Sequence, residues 1–387
     1  MKLAYVTTYD STKLTGSDEW SGTGYYIAQS LKSQAIDLDY VGPLEDPTYV
    51  KAVRKFKRYY YELWHGKNYQ KNSDPQTLKN YARQVRQKLS PQDKIVFSAT
   101  IDPIAYLNCD LPIVFWADAT FAGIADFYPQ YSNLHPEVVR DWHRMEQLAL
   151  QKSQLAIYSS DWAAKTAIEF YQADPDKVKV VPFGANIENE LSFSQIKEAI
   201  EARPSDVCKL LFIGVEWQRK GGDVAYAVAE KLNQSGLNTE LIVVGCQPAI
   251  EQPIPQFVKL IGFISKSTPE GKEKLNQLFL ESHFLILPSV ADCTPMVLAE
   301  ANSLGVPCLS TNVGGIPSII HDDKNGKLFP VDCEVDRYCS YIRNLFSDFS
   351  QYKELAYASF EAYESRLNWR VAGQKVKSLL TEIIYLN

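Results

Sequence analysis

Short, continuous apolar segments alternate with amphipathic helical segments along most of this sequence, and this alternation constrains the fold more than any other feature. The clearest apolar segments are residues 3–7, 38–41, 95–98, 113–116, 155–159, 178–181, 210–213, 241–244, 284–287 and 307–310. A strand that is apolar at successive positions is buried on both faces, as in a parallel sheet that helices cover on both sides. We therefore predict an α/β protein built from Rossmann-like, doubly wound parallel sheets.

The alternation occurs in two series, and 387 residues are enough for two domains of ordinary size. We place one domain at residues 1–187 and the second at residues 188–365. A helix predicted over residues 366–387 would pack back on the first domain. Ligands of open α/β sheets bind beyond the carboxyl ends of the strands, so the expected site is a cleft in which the two sheets face each other.

The charge balance and the cysteines exclude several classes of protein. Forty basic and 46 acidic residues give a net charge of −6, which argues against nucleic-acid binding by bulk electrostatics. No apolar run is long enough to cross a bilayer, and the N-terminus becomes polar too early for a signal peptide. Seven cysteines without a CxxC pair indicate buried thiols in a reducing compartment. We expect a cytoplasmic protein.

The acidic residues and the histidines do not predict a metal site. The five histidines are scattered and lack the spacing of zinc ligands. Asp37-Leu38-Asp39 and Asp174-Pro175-Asp176 resemble metal-binding DxD motifs, but we interpret them as acids at a strand edge and in a turn. No obligatory metal is expected.

Two carboxylates lie around the start of a helix in the second domain. A polar loop follows the apolar segment 284–287, and Thr294 with Pro295 begins a helix. Free N–H groups at a helix start bind phosphate or sugar oxygens, and carboxylates accept hydrogen bonds from hydroxyls. Asp292 and Glu300 could therefore hold the diols of a sugar and a ribose; the alternative is a capping acid and a surface glutamate. Glu300 lies between two alanines in an apolar helix, where a buried carboxylate needs a partner.

A loop with two adjacent cations follows the segment 210–213. Arg219 and Lys220 precede Gly221 and Gly222, where a helix begins. Cations at the carboxyl end of a strand can neutralise a diphosphate, arginine through a bidentate fork and lysine as a point charge. This loop therefore points to the same ligand as the two carboxylates.

In the first domain, Gly22-Thr23-Gly24 lies in the loop between the first strand and a helix. Such a loop lets the backbone approach a phosphate closely. A lone Gly-x-Gly is weak evidence, and with Asp37 or Asp39 as a ribose acid it would also suit a NAD-dependent oxidoreductase.

Asp118 follows the apolar segment 113–116 and is expected to face the cleft. In that position it would accept a proton from an acceptor or orient a sugar hydroxyl. The alternative is a cap at the start of a loop.

Taken together, these motifs resemble the retaining, two-Rossmann-domain (GT-B) glycosyltransferases of family 4. The resemblance covers nearly the whole chain and rests on the order and spacing of its motifs. They are Ser21-Gly22-Thr23-Gly24, residues 180–186, Arg219-Lys220-Gly221, the acids Asp292 and Glu300, residues 305–311, Gly314-Gly315-Ile316-Pro317 and Asn325-Gly326. The family writes the paired acids as Glu-x7-Glu, and Asp292 is one methylene shorter than the first of them. Val215 stands where the family usually has a phosphate-binding arginine, a role that passes to Arg219 beside Lys220.

The resemblance implies a role for each part of a donor site. Glu300 would bind the nucleotide ribose, Asp292 the donor sugar, backbone groups at 262–264 the base, and amides at 296–298 the diphosphate. The implied catalytic residues are Asp118, Asp292, Arg219 and Lys220. The implied donor-binding residues are Gly22, Thr23, Gly24, Arg219, Lys220, Gly262, Phe263, Ile264, Asp292, Cys293, Thr294, Met296, Val297, Leu298 and Glu300.

The resemblance also implies a reaction, the transfer of a hexose from UDP-glucose to a saccharide or lipid-linked acceptor in polysaccharide or glycolipid assembly. The second domain would bind the nucleotide sugar and the first the acceptor. Residues 1–187 hold 16 of the 23 tyrosines, whose rings would stack on an acceptor sugar. The alternatives are a sugar-nucleotide epimerase on the same fold, a NAD-dependent oxidoreductase and a catalytically silent sugar-nucleotide-binding protein.

The pattern of residues 51–64 predicts a helix rich in basic and aromatic side chains. Val53, Phe56, Tyr60 and Leu63 share one face, and cations occupy the other. One interpretation is an apolar face packed on the core beneath a solvated charged face. The other is peripheral docking on an anionic membrane, at its inner face, or on a lipid-linked acceptor.

Overall fold

The structure is a computed structural model that describes residues 1–14, 20–187, 191–250 and 253–386. Its strands are β1 (Lys2–Val6), β2 (Asp37–Val41), β3 (Ile95–Ser98), β4 (Ile113–Ala117), β5 (Leu155–Tyr158), β6 (Val178–Val180), β7 (Cys208–Ile213), β8 (Thr239–Val244), β9 (Val258–Gly262), β10 (Phe284–Leu287), β11 (Cys308–Thr311) and β12 (Gly326–Phe329).

The α-helices lie between and after these strands. They are α1 (Thr23–Ser33), α2 (Thr48–Tyr59), α3 (Pro75–Lys88), α4 (Phe121–Ile124), α5 (Pro136–Lys152), α6 (Asp161–Glu169), α7 (Phe193–Glu201), α8 (Gly222–Gln234), α9 (Pro269–Glu281), α10 (Met296–Asn302), α11 (Ile316–Ile319), α12 (Val335–Ser347), α13 (Phe349–Arg366) and α14 (Trp369–Leu386). A π-helical turn, Tyr60–Trp64, continues α2. Short 3-10 segments occur at Trp20–Gly22, Lys71–Ser73, Pro129–Tyr131 and Pro175–Lys177.

The first sheet is parallel and has the strand order β2-β1-β3-β4-β5-β6. β1 pairs with two strands, so that Leu3 lies beside Leu38 of β2 and beside Ile95 of β3. The residues of β3 and β4 are all buried, as expected for strands covered on both faces.

The second sheet is also parallel and has the order β12-β11-β10-β7-β8-β9. The chain runs from β7 through β8 to the edge strand β9, and then crosses back to place β10 on the other side of β7. The loops after β7 and β10 therefore lead away in opposite directions from neighbouring strands. Such a topological switch point opens a crevice at the carboxyl edge of the sheet.

The chain divides into two compact units, Met1–Pro182 with Ala372–Asn387, and Phe183–Val371. Each unit contains one sheet and its own hydrophobic core. The division lies a few residues before the predicted boundary at 187/188, and the last helix runs from Trp369 to Leu386, within the predicted segment 366–387. In the first unit α14 packs closely on α1. Gly373 permits this approach, since a Cβ at that position would lie 2.6 Å from the Ser30 carbonyl oxygen.

The predicted α/β class with two doubly wound parallel sheets is confirmed. Every predicted strand is present, with bounds that differ by at most two residues. β9 and β12 were not predicted; both are edge strands, and in β9 the exposed Lys259 and Leu260 interrupt the apolar pattern. The helix predicted to begin at Thr294 and Pro295 starts at Met296, with Pro295 as its N-cap.

The predicted packing of Phe56, Tyr60 and Leu63 on the core is wrong, because these three side chains are exposed. The side of α2 that faces the first unit instead carries Arg54 and Lys57, each paired with a carboxylate. The helix is therefore rotated about its axis, so that its aromatic face points to solvent and its paired cations point to the rest of the unit.

A buried carboxylate ties the chain after β4 to α5. Glu146 accepts hydrogen bonds from the Phe121 amide at 3.1 Å and from the Tyr158 hydroxyl at 3.4 Å. Burial raises the pKa of Glu146 from 4.5 to about 8, because a low-dielectric environment disfavours the charged form. The Phe121 contact fixes the segment that follows Asp118.

Glu146→Gln should stabilise the protein progressively as the pH rises. The unfolded carboxyl ionises near pH 4.5 and the folded one near pH 8, so the wild type loses stability between these values. A glutamine side chain accepts from Phe121 and donates to Tyr158 without titrating. Urea unfolding across this window should show the difference in free energy of unfolding growing with pH and then levelling off.

The control for this experiment is Glu169→Gln, at an exposed position of α6 near Lys165. Its free energy of unfolding should follow that of the wild type at every pH. A constant difference between Glu146→Gln and the wild type would contradict the raised pKa.

Candidate functional site

The loops that follow β7 and β10 meet at the switch point of the second sheet. The Val290 amide donates to the Arg219 carbonyl over 2.9 Å and joins the two loops. Gly221, the N-cap of α8, has φ +77°, and a Cβ there would lie 2.1 Å from the Pro288 carbonyl oxygen. Glycine is needed here both for the left-handed backbone and for the close approach of the second loop.

Two cations and two carboxylates form a cluster at this junction. Lys220 Nζ is paired with Asp292 Oδ2, and Arg219 Nη1 lies 3.8 Å from the same oxygen. Arg219 also donates to the Ala291 carbonyl at 2.9 Å and to Glu216 at 2.6 Å. The hydrogen bond from Arg219 lowers the pKa of Glu216 below its usual value. The structure thus brings together three residues that the sequence predicted, Arg219, Lys220 and Asp292, and adds Glu216.

Asp292 is also held from a third loop. Its side chain is buried, and its carbonyl accepts from the Gly315 amide at 3.1 Å. Gly314 and Gly315 follow β11, the neighbour of β10. The loop that follows β11 thus holds the backbone of Asp292, whereas Arg219 and Lys220 from the loop after β7 hold its carboxylate.

Glu300 is fully buried in α10, and its carboxylate is paired. Lys266 Nζ lies 2.5 Å from each of the two carboxylate oxygens. The lysine follows β9, and its side chain is 42% exposed. The interpretation of Glu300 as a surface residue is therefore wrong. Lys266 was not predicted from the sequence, although a buried carboxylate at position 300 would need such a partner.

The segment expected to hold the base lies at the end of β9. Gly262 has φ +77°, and no heavy atom lies within 4 Å of its Cβ position. Its carbonyl accepts from the Gly245 amide at 3.0 Å. Phe263 is exposed, whereas Ile264 packs against the core of the second unit. The segment leads directly to Lys266, and so to Glu300.

The side chains of the segment 293–298 are buried or half-buried. Cys293 and Leu298 are buried, and Thr294, Met296 and Val297 are half-buried. The Leu298 amide donates to the Pro295 carbonyl at 3.0 Å and is therefore engaged within the helix start. Of the predicted amides, those of Met296 and Val297 lie in the first turn, where N–H groups have no intrahelical partner.

The glycine loop of the first unit forms the start of α1. Gly22 is the N-cap, with φ +77°, and Thr23 opens the helix. A Cβ on Gly24 would lie 2.2 Å from the Tyr9 hydroxyl, and the Tyr5 hydroxyl donates to the Gly24 carbonyl at 2.6 Å. The close approach that Gly24 permits in this structure is therefore to tyrosine side chains of its own unit.

Asp118 lies directly after β4 and is oriented by a tryptophan. The Trp20 indole N–H donates to Asp118 Oδ2 over 3.2 Å. Trp20 was not predicted from the sequence, because it is distant from Asp118 in the chain and the two residues meet only when the sheet forms. The cap of the following helix, α4, is Thr120, whose hydroxyl accepts from the Gly123 amide. Asp118 is therefore not the cap of that helix.

The DxD look-alikes have structural partners. Asp39 pairs with Lys2 at 2.8 Å, and Asp174 accepts from the Asp176 amide at 3.0 Å in a 3-10 turn. Across residues 1–14, 20–187, 191–250 and 253–386, no group of three or more His, Cys, Asp or Glu residues could hold a metal ion. Independence from a metal remains a prediction.

Among the helices of the part of the chain that the structure describes, none combines the length and the apolar character that a bilayer crossing requires.

Comparison with known proteins connects the cluster to a family. Residues 208–348 match the family model of glycosyl transferases group 1, and this range contains the whole cluster together with Lys266 and Glu300. This match spans a little over a third of the chain, and the segment it covers is similar to group 1 glycosyltransferases. The D-inositol 3-phosphate glycosyltransferase of Streptomyces scabiei is 30% identical to the chain over 175 residues. That alignment covers 42% of this chain and 39% of the relative, so the chain spans about two-fifths of that relative's length.

Two solved structures resemble the chain over nearly its full length. The sucrose-phosphate synthase of Thermosynechococcus elongatus has a TM-score of 0.70 at 13% identity and covers 100% of this chain and 99% of its own. The HepE protein of Anabaena, solved with UDP-glucose, has a TM-score of 0.62 at 15% identity and covers 99% and 100%. At such identities the likeness establishes the fold alone. The chain thus has the predicted GT-B fold.

Gly221→Ala should destabilise the second unit more than Gly236→Ala does. Both glycines have positive φ, +77° and +89°, but only at Gly221 would a Cβ meet backbone, the Pro288 carbonyl. We expect a loss of about 1 kcal/mol for Gly236→Ala and of roughly 2–4 kcal/mol for Gly221→Ala. Urea unfolding of both variants measures the difference, and equal losses would show that the contact between the two loops adds nothing.

Proposed function

We propose that the protein is a retaining hexosyltransferase with UDP-glucose as its donor. The observation that carries the proposal is the pair of cations, Arg219 and Lys220, beside Asp292 at the switch point of the second sheet. A nucleotide diphosphate sugar offers the negative charge and the hydroxyls that these side chains bind. The family match over residues 208–348 and the UDP-glucose complex of the structurally similar HepE support this choice.

Donor binding exchanges ion-pair partners within the cluster. Arg219 pairs with Glu216, and Lys220 pairs with Asp292, so the formal charges of the four side chains cancel. A diphosphate that takes over the two cations releases Asp292, whose carboxylate then accepts hydrogen bonds from hydroxyls of the donor sugar. Recognition of the diphosphate and recognition of the sugar are thereby coupled.

The ribose site works by a similar exchange. Both oxygens of Glu300 accept from Lys266, so ribose hydroxyls compete with an ammonium group for them. The lysine side chain is partly exposed and regains water when it withdraws. Glu300 remains buried and fixed, which keeps the ribose position constant.

Transfer breaks the bond between the anomeric carbon and the diphosphate and forms a bond from that carbon to the acceptor oxygen on the same face. Arg219 and Lys220 stabilise the charge that develops on the departing diphosphate, and Asp292 orients the sugar. The acceptor proton passes to the diphosphate or to Asp118; in the first case Asp118 orients a donor-sugar hydroxyl. We propose no metal requirement, since two side-chain cations supply the positive charge.

The acceptor is a saccharide or a lipid-linked sugar, in polysaccharide or glycolipid assembly. The protein would work in the cytoplasm, and a lipid-linked acceptor would bring it to the inner face of the membrane. Residues 51–64 would then provide peripheral contact.

UDP-glucose should raise the melting temperature of the wild type but not that of Glu300→Gln. A ligand at about a hundred times its Kd adds about 2.7 kcal/mol to stability, enough for a clear thermal shift. The substitution keeps the volume of a fully buried side chain and removes the negative charge that pairs with Lys266. A thermal-shift panel of UDP-, GDP- and ADP-sugars measures the response, and Glu300→Ala extends the series.

The matched control is Glu281→Gln, a carboxylate of the same unit that pairs with Lys209 at 3.3 Å on the surface. It should respond to UDP-glucose as the wild type does. Equal responses of Glu300→Gln and the wild type, or no response of the wild type to any sugar nucleotide, would refute the proposed site.

Product analysis separates the competing functions. Slow release of UDP from UDP-glucose without acceptor, and an α-linked product with acceptor, support retaining transfer. Conversion of the sugar without nucleotide release would identify an epimerase. Stabilisation without turnover on any acceptor would identify a binding protein, and a thermal response to NAD alone would favour an oxidoreductase.

Asp292→Asn should bind UDP more tightly than the wild type, by about three- to tenfold, because it leaves Lys220 without a competing carboxylate. Transfer from UDP-glucose should fall, since the sugar loses a charged acceptor. Calorimetric titration with UDP and an assay of UDP release measure the two effects. Glu216→Gln is the control, because the Glu216 carboxylate is half-exposed and pairs with Arg219; this substitution should change UDP affinity less. Weaker binding of UDP by Asp292→Asn would contradict the exchange.

A further inference from the structure

An exposed aromatic face covers one side of α2 and of the π-helical turn that follows it. The face comprises the large exposed side chains Tyr49, Phe56, Tyr59, Tyr60, Leu63 and Trp64. Phe56, Leu63 and Trp64 are 72%, 61% and 77% exposed. Single apolar side chains are common on protein surfaces, but several at helical spacing form a contiguous patch that marks an interaction surface.

The opposite side of α2 fixes this orientation. Arg54 pairs with Asp46 at 2.7 Å, and Lys57 pairs with Asp74 at 2.7 Å. Both acids are largely buried, and Val50 of the same helix is buried as well. Rotating the helix to bury its aromatic face would leave two buried carboxylates without their cations, which is costly. The exposure of the aromatic face is therefore a consequence of buried ion pairs.

A basic flank lies beside the aromatic face and consists of Lys51, Lys55 and Arg58, at i, i+4 and i+7 along α2. Among the residues that the structure describes, neither lysine has a carboxylate within ion-pair distance. Arg58 contacts Glu62 at 2.9 Å, and both side chains of that pair are exposed. Exposed pairs of this kind contribute little, so all three cations remain available to an anionic partner.

We propose that the aromatic face and the basic flank dock the protein on an anionic lipid membrane. Tyrosine and tryptophan rings suit the boundary between headgroups and acyl chains, and adjacent lysine and arginine side chains attract anionic lipid phosphates. The flank is opposite in sign to the net charge of −6, so attraction to an anionic surface is directed to this helix.

A second copy of the chain fits the surface less well. A two-fold dimer built on the aromatic face presents the same surface from both copies. Its two basic flanks would then lie near each other, and like charges would oppose association. The proposal does not depend on the proposed reaction, because it requires no donor or acceptor.

Binding to vesicles tests the proposal directly. The full chain should co-sediment with vesicles of phosphatidylglycerol and phosphatidylcholine, and far less with vesicles of phosphatidylcholine alone. Lys51→Glu/Lys55→Glu/Arg58→Glu should lower the partition coefficient by at least about a hundredfold. Phe56→Ser/Leu63→Ser/Trp64→Ser should lower it by about tenfold or more. Arg54 and Lys57 are left unchanged, since their charges hold the fold.

The control variant is Lys79→Glu/Arg83→Glu/Arg86→Glu, which changes the same charge on exposed positions of α3 in the same unit. It should bind anionic vesicles much more strongly than the variant of the basic flank. Circular dichroism and thermal unfolding should be unchanged in all three variants. If a triple variant unfolds, Lys51→Gln/Lys55→Gln gives the same direction of change with less perturbation.

A spectroscopic measurement locates the contact. Lipids brominated near the headgroup end of the acyl chains should quench tryptophan fluorescence of the wild type, and Trp64→Phe should lose most of that quenching while retaining binding. Equal binding of the flank and control variants, or quenching unaffected by Trp64→Phe, would overturn the proposal. So would a wild-type dimer in sedimentation velocity that Phe56→Ser/Leu63→Ser/Trp64→Ser converts to monomers, because the surface would then be an interface between copies.

Discussion

The parallel pairing of the second sheet is the constraint on which the candidate site depends. Because all its strands run in one direction, the loops after β7, β9, β10 and β11 leave from the same edge. The change of direction between β7 and β10 separates the connections there and leaves room for a ligand. The pair of Lys220 with Asp292 spans this point. Residues that are distant in sequence therefore become neighbours without any special local structure.

The charged groups of the site are balanced by one another, and this balance gives the site a fixed geometry. Asp292 and Glu300 are buried, so each needs a cation, and Lys220 and Lys266 supply one each. A buried carboxylate without a partner would take up a proton or distort its surroundings. The paired cations hold the carboxylates in position, and a ligand with its own negative charge and hydroxyls can replace those contacts one for one. Preorganisation of this kind reduces the rearrangement that accompanies binding.

The sequence was most informative where burial is most complete. Strands such as β4 and β10 consist entirely of buried apolar residues, so their pattern identifies both the strand and the parallel sheet. The edge strand β9 has two successive exposed residues, Lys259 and Leu260, so its sequence lacks the continuous apolar pattern of a buried strand. Lys266 and Trp20 were missed for a different reason, since each contacts a residue that only the tertiary fold brings near. The motif residues around the switch point were predictable because a parallel sheet fixes where strand ends lie.

The excess of tyrosine in the first unit divides into groups with different physical causes. Tyr5 and Tyr158 are fully buried in the core, and burial raises the pKa of each well above its usual value. Tyr61 is buried as well and stacks on His135 at 4.1 Å, so it fixes the end of α2 rather than meeting a ligand. Tyr59, in contrast, belongs to the exposed aromatic face. Acceptor recognition by stacked rings can therefore account for only part of the excess, and the exposed part is concentrated on the helix whose orientation the buried ion pairs determine.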